Sequence, residues 1–179
     1  MVRNEKILHS YSDAINPASI NLRLGNSFLV PKAPEFGGKQ TVRLGDDVAY
    51  TEYYLMDEGG SMTIGPGDFI LATTKEWVDI PVTAAAFVQG RSSIGRAGLS
   101  VQNAGFVDPG FNGHITLELK NDAPYYIELI PGYPVAQLVY MNAADVSRGY
   151  SGKYIGQIKA TGSRMHMDDL NRIFAKGGD

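Results

Sequence analysis

The sequence predicts an all-β fold, a barrel or sandwich of short strands with a few short helices. Three observations carry that reading: apolar and polar residues alternate in several segments, turn residues recur throughout, and helical periodicity is scarce. With 21 glycines and 9 prolines in 179 residues, the chain is interrupted often enough to keep its elements short. Taken in order, Arg3 to Ser10 can form a short helix. From Ser19 to Val30, Ile20, Leu22 and Leu24 alternate with Asn21 and Arg23, the period of a strand with one face in the core. Pro31 to Tyr54 mixes proline, glycine and both signs of charge and is expected to be an excursion from the barrel. Gly65-Pro66-Gly67 and Pro131-Gly132 are turn signals, each followed by an apolar strand at Phe69 to Ala72 and at Pro134 to Ala136. Between them, Ser92 to Ala97 is a candidate helix, and His114 to Lys120 alternates again, with Ile115, Leu117 and Leu119 opposite Thr116, Glu118 and Lys120. A last helix is expected at Met167 to Phe174, with Asp168 and Asp169 in its first turn.

Composition narrows the function classes. A chain of this length fits one domain over residues 1–179 and can bury a substantial core. Its formal charge of -3 gives no general attraction for DNA or RNA, so nucleic acid is not an expected partner and any phosphate recognition must come from a local cluster. That favours a small phosphorylated ligand. Cysteine is absent, which removes disulfides, thiol nucleophiles and thiolate-bound zinc. No apolar run approaches the roughly 20 residues that span a bilayer, and no signal-peptide core is visible, so a cytoplasmic protein without membrane contact is expected.

Three segments carry candidate chemistry. In Gly90-Arg91-Ser92-Ser93-Ile94-Gly95-Arg96, backbone N–H groups beside two hydroxyls and two guanidiniums can hold phosphate oxygens; equally, Ser92 can cap a short helix while the arginines make surface pairs. Asp108-Pro109-Gly110 has the composition of a turn. Glu118 stands between apolar neighbours in an alternating strand. It is either exposed on a solvated sheet face or held in a pocket where its pKa is raised for acid–base work.

Together these segments resemble the dCTP deaminase branch of the trimeric dUTPase superfamily. Pro17 to Gly25 looks like the family's first strand and Thr74-Lys75-Glu76-Trp77-Val78 like the lead into the site motifs. Gly90 to Leu99 is similar to the phosphate motif, Ala104 to Phe111 to the sugar-binding turn, and Gly113 to Leu119 to the catalytic strand. Tyr150-Ser151-Gly152-Lys153-Tyr154-Ile155-Gly156-Gln157 is similar to the tail that closes over the nucleotide, which would occupy residues 145–179. The resemblance implies a dUTPase-like, jelly-roll-type distorted barrel, assembled as a homotrimer in which one subunit completes another's pocket.

It also implies roles. Hydrolytic deamination of dCTP needs water at C4, a proton at N3 and departure of ammonia, so one group must accept and return a proton. Glu118 is that candidate. Ser92, Glu118 and the backbone carbonyl near Ala104 would position the water, and Arg96 would orient the carboxylate. Arg91, Ser93, Lys153 and Gln157 would hold the triphosphate, Asp108 and Tyr150 would face the deoxyribose, and Thr116 and Leu117 would line the nucleotide pocket. Ligands are expected to be dCTP, dUTP and dTTP-type nucleotides, with Mg2+ carried on their phosphates rather than in a protein cage. A zinc deaminase route needs a His and Cys ligand set that His9, His114 and His166 do not supply. The eleven residues from Ala97 to Val107 are one fewer than in a typical deaminase of the family, beside the water-holding carbonyl. Three readings follow: deamination of dCTP, alone or coupled to diphosphate release to give dUMP; nucleotide hydrolysis without deamination, through water positioned by Asp108; and a nucleotide-gated regulatory binding protein.

Overall fold

The structure, a computed structural model, describes residues 14–33, 41–55, 59–102 and 105–168. It is built from strands, as the alternation predicts. The first half runs β1 (Ile20–Pro31), β2 (Tyr50–Tyr54), β3 (Met62–Ile64), β4 (Phe69–Asp79) and β5 (Ala84–Gly90). After the helix α1 (Ser92–Arg96) come β6 (Leu99–Val101), β7 (Phe106–Val107), β8 (Asn112–Asn121), β9 (Ile127–Leu129) and β10 (Pro134–Asn142). Among the described residues, eight strands form one antiparallel sheet in the order β6-β8-β4-β1-β10-β5-β7, with β2 paired to β1, while β3 and β9 form a separate ribbon. The sheet curls on itself, so that Gly90 at the end of β5 comes into contact with Val101 of β6. Its inner side carries the core, including Leu22, Leu24, Phe28, Ile70, Ala72, Val88, Leu117, Leu119 and Leu138.

Bulges produce the curl. In β1, Leu24 pairs with Thr74 but Phe28 with Ala72, so β1 spends two more residues than β4 over the same stretch. A bulge of this kind bends its strand and lets both flanking apolar sets face inward. The simple alternation read from Ser19 to Val30 therefore holds only locally: Leu22 and Leu24 are buried, but so is Asn21, and Phe28 reaches the core from beyond the bulge. β4 carries its own bulge between Thr73 and Trp77. Thr74 stabilises it, its hydroxyl donating to the Glu76 carbonyl at 2.9 Å and accepting from the Ile115 N–H at 2.9 Å. Arg23 braces it from the neighbouring strand, its Nε and backbone N–H each donating to the Glu76 carboxylate, at 2.6 and 2.8 Å.

One expectation is corrected and two fall outside the described residues. Within Pro31 to Tyr54, Tyr50–Tyr54 is no excursion but strand β2, pairing with β1 from Ser27↔Tyr54 to Pro31↔Tyr50. Near the C-terminus the described turn of helix is a 3-10 turn at Met165–Met167, ahead of the predicted start. Residues 169–174 of the expected Met167 to Phe174 helix, and the helix expected at Arg3 to Ser10, lie outside the described residues. Helix α1 matches Ser92 to Ala97, with Arg91 rather than Ser92 at its N-cap. No helix among the described residues is long and apolar enough to cross a membrane.

Candidate active site

Strand β8 alternates without a fault from Asn112 to Asn121: Ile115, Leu117 and Leu119 are buried in the core, while His114, Thr116, Glu118 and Lys120 face the other way. Glu118 and Thr116 thereby open onto a cavity of about 570 Å3, a size suited to a nucleotide. The floor comes from the sheet, where Leu71 pairs with Glu118 and Phe69 with Lys120. Val88, Val101 and Phe106 add apolar walls, and Asp108 stands at one edge on the turn closed by the Phe111 N–H donating to the Asp108 carbonyl at 3.1 Å.

The tail forms the remaining wall. The Tyr150 N–H donates to the Pro109 carbonyl at 2.7 Å, which sets the Tyr150 ring against Phe111 and beside the Asp108 turn. Further along, the His114 N–H donates to the Gln157 carbonyl and the Gly156 N–H to the Asn112 carbonyl, each at 2.8 Å. The tail backbone lies so close here that a Cβ on Gly113 would sit 2.8 Å from the Gln157 nitrogen, and Gly113 has φ 144, so glycine is required at that position. The Thr116 hydroxyl fastens the same segment twice, donating to Gln157 Oε1 at 2.9 Å and accepting from the Thr161 N–H at 3.1 Å.

Of the residues singled out in the sequence, Asp108, Thr116, Leu117, Glu118, Tyr150 and Gln157 all line this cavity. Gln157 is buried and bonded to Thr116 rather than free. Arg91, at the N-cap of α1, and Ser92, Ser93 and Arg96 on the helix lie apart from it: Ser92, Ser93 and Arg96 are exposed, and Arg91 Nη1 donates to the Pro134 carbonyl at 3.0 Å. Lys153 is outside the lining too, paired to Asp168 at 2.5 Å. The Ala104 carbonyl lies outside the described residues. The sequence reading missed Tyr50, Phe69, Tyr154, Thr161 and Ser163, which also line the cavity. Tyr154 could have been found, since it stands inside the tail motif; Tyr50 carried no comparable signal.

The electrostatics are one-sided. Asp108 and Glu118 contribute two carboxylates, and among the described residues no lysine, arginine or histidine lines the cavity. Burial pushes the Glu118 carboxyl above the ordinary glutamate value of 4.5. Below pH 4.5 the group is protonated whether folded or unfolded and costs the fold nothing. As pH rises through the raised folded value, the fold must hold a desolvated charge that the unfolded chain gives to water. Glu118→Gln is therefore expected to melt higher than the parent at pH 7 to 8, with the difference vanishing as pH falls below 4.5. Thermal melts of both proteins across that range check it; a constant difference would mean that the carboxylate is not desolvated.

Comparison with known proteins places this geometry in context. The dCTP deaminase-like family pattern matches residues 2–143. The chain is 40% identical over 171 residues to the dUMP-forming dCTP deaminase of Persephonella marina, covering 94% of this chain and 93% of that protein. The crystal structure of 2'-deoxycytidine 5'-triphosphate deaminase from Agrobacterium tumefaciens superposes with a TM-score of 0.56 at 19% identity, over 76% of this chain and 42% of that one. The dUTPase of Streptococcus mutans does so with a TM-score of 0.50 at 20% identity, over 81% and 92%. At those identities the two structures speak to the fold, the dUTPase-like barrel that the sequence resemblance implies.

Proposed function

The chain belongs to the dCTP deaminase-like family, and from that premise we propose that it converts dCTP to dUMP in one site, releasing ammonia and then diphosphate. The observation that carries the reading is Glu118: a carboxyl raised above its ordinary pKa by burial, in a nucleotide-sized cavity, on a strand that resembles the family's catalytic strand. The name of the Persephonella relative, dUMP-forming, favours the coupled reaction over deamination alone.

In the first step water adds to C4 of the cytosine. Glu118 takes a proton from that water and delivers it to N3, then carries the proton of the new C4 hydroxyl to the amine as the C4–N bond breaks, so that dCTP and water become dUTP and ammonia. The raised pKa suits this exchange, because a carboxyl closer to neutrality both accepts and returns a proton readily. In the second step a water held by Asp108 attacks the α-phosphorus. As its oxygen bonds to phosphorus the water gives up a proton to the Asp108 carboxylate, which passes it to solvent, the bond to the bridging oxygen breaks, and dUTP with water becomes dUMP and diphosphate. Both steps are hydrolyses, and neither needs an oxidant or reductant.

The phosphates need cations, and among the described residues none lines the cavity. We place them on a neighbouring copy, whose exposed α1 presents Arg91, Ser92, Ser93 and Arg96, in a homotrimer where Ser92 and Arg96 meet the Glu118 of the next subunit. Lys153 of the tail would exchange Asp168 for a phosphate. Magnesium would belong to this scheme as part of the substrate complex, carried on the phosphates and spreading their charge.

Incubation with dCTP and Mg2+, with ammonia and diphosphate measured separately, tests the proposal. Equal amounts of both are expected. Ammonia alone would indicate a deaminase that stops at dUTP, diphosphate alone a nucleotide hydrolase, and neither product a binding protein.

A further inference from the structure

The tail does not rest on the catalytic strand alone. Its segment from 159 to 166 lies against β2 and the chain just before it, a region outside every motif that carries the family likeness. Lys159 Nζ binds the Glu52 carboxylate at 2.7 Å and His166 pairs with Asp47, so the contact is held on both sides of Gly162. Between them the backbone of Gly162 lies on the ring of Tyr50, where an added Cβ would stand 2.6 Å from Cε2 and 2.9 Å from Cδ2. The φ of Gly162 is not in the left-handed region, so its own backbone would accept alanine. Only the tyrosine ring forbids it.

Tyr50 also lines the cavity, as do Thr161, Gly162 and Ser163. Its place in the sheet is fixed by register: Leu29 pairs with both Leu71 and Glu52, and Leu71 pairs with Glu118. β2 is thus three strand spacings from β8, about 14 Å along the sheet. Tyr50 closes the side of the cavity away from Glu118, while the bond from the Thr161 N–H to Thr116 closes the near side.

We infer that Tyr50 is a positioning residue of this site, the aromatic seat on which the tail backbone at Gly162 seals the cavity and retains the nucleotide between its two hydrolytic steps. The inference rests on the reading of the cavity as the nucleotide site. A two-step enzyme loses its intermediate wherever the enclosure leaks, so a failed seal shows as free dUTP in the product mixture, which a simple loss of stability or of rate does not produce.

The test is a cycle of Gly162→Ala, Tyr50→Ala and the double variant, read in two ways. In the absence of nucleotide, trypsin cleavage after Lys153, Lys159 and Arg164 reports an open tail. Gly162→Ala is expected to speed it roughly tenfold in the parent and not at all once Tyr50 is alanine, since the obstructing ring is then gone. With dCTP, Gly162→Ala and Tyr50→Ala should each release free dUTP where the parent releases dUMP. Tyr50→Leu supplies a second background should the alanine variant not fold. Gly162→Ala without effect on cleavage, or with the same effect in both Tyr50 backgrounds, overturns the inference. A parent protein that makes no ammonia would instead sink the proposed activity and leave the cleavage cycle to decide the seal.

Discussion

Glu118→Gln is expected to lower ammonia release from dCTP by about 1,000-fold while leaving nucleotide affinity nearly unchanged. The amide keeps the shape and the hydrogen-bonding reach of the carboxylate but can neither take a proton from water nor hand one to N3. Supplied directly with dUTP, the same variant should still release diphosphate, with a loss of less than about tenfold, because that step is assigned to Asp108 and needs no proton at the base. Assays with the two substrates side by side, together with nucleotide binding by calorimetry, separate the roles. Retained ammonia release would remove Glu118 from the chemistry, and equal losses on both substrates would mean that it serves the site as a whole.

The second large effect concerns the cations that would meet the phosphates. Arg96→Ala is expected to cost about 100-fold or more in ammonia release, as loss of a positioned charged donor generally does. Because Arg96 lies outside the cavity of its own chain, a mixture of the two inactive proteins should recover activity when they are coexpressed. A site that takes Glu118 from one subunit and Arg96 from the next is intact wherever the first chain carries Arg96→Ala and the second Glu118→Gln. Random assembly of equal amounts makes that arrangement at about a quarter of the sites. Activity near that fraction of the parent's would establish the shared site; activity no greater than the two inactive proteins give separately would confine each site to one chain.

What could be read from the sequence divides along physical lines. β8 was legible residue by residue, since a strand with one face in the core and one on a cavity must alternate, and its burial does so from Asn112 to Asn121. α1 and the two strands behind Pro-Gly turns were legible because their signals are local. β2 was not: Tyr50–Tyr54 pairs with β1 across a segment whose prolines, glycines and charges read as loop, and only the long-range ladder makes it a strand. The bulge in β1 escaped for the same reason, being set by β4 rather than by the residues of β1. Of the site, the motif resemblance found Glu118, Thr116, Asp108, Tyr150 and Gln157, which the fold then gathers on one cavity. It could not find Tyr50, whose role depends on a tail segment more than a hundred residues away lying on its ring. Nor could it say that α1 would stand away from that cavity, because the distance between two motifs is a property of the fold and not of their order.

A crystal structure with an unreactive dCTP analogue and Mg2+ tests the central claim most directly. The account predicts the cytosine ring in this cavity with a Glu118 carboxylate oxygen about 2.6 to 3.2 Å from N3, and Ser92 and Arg96 of a neighbouring subunit on the far side of the ring. A base bound elsewhere, or a Glu118 side chain turned to solvent with the nucleotide in place, would contradict it.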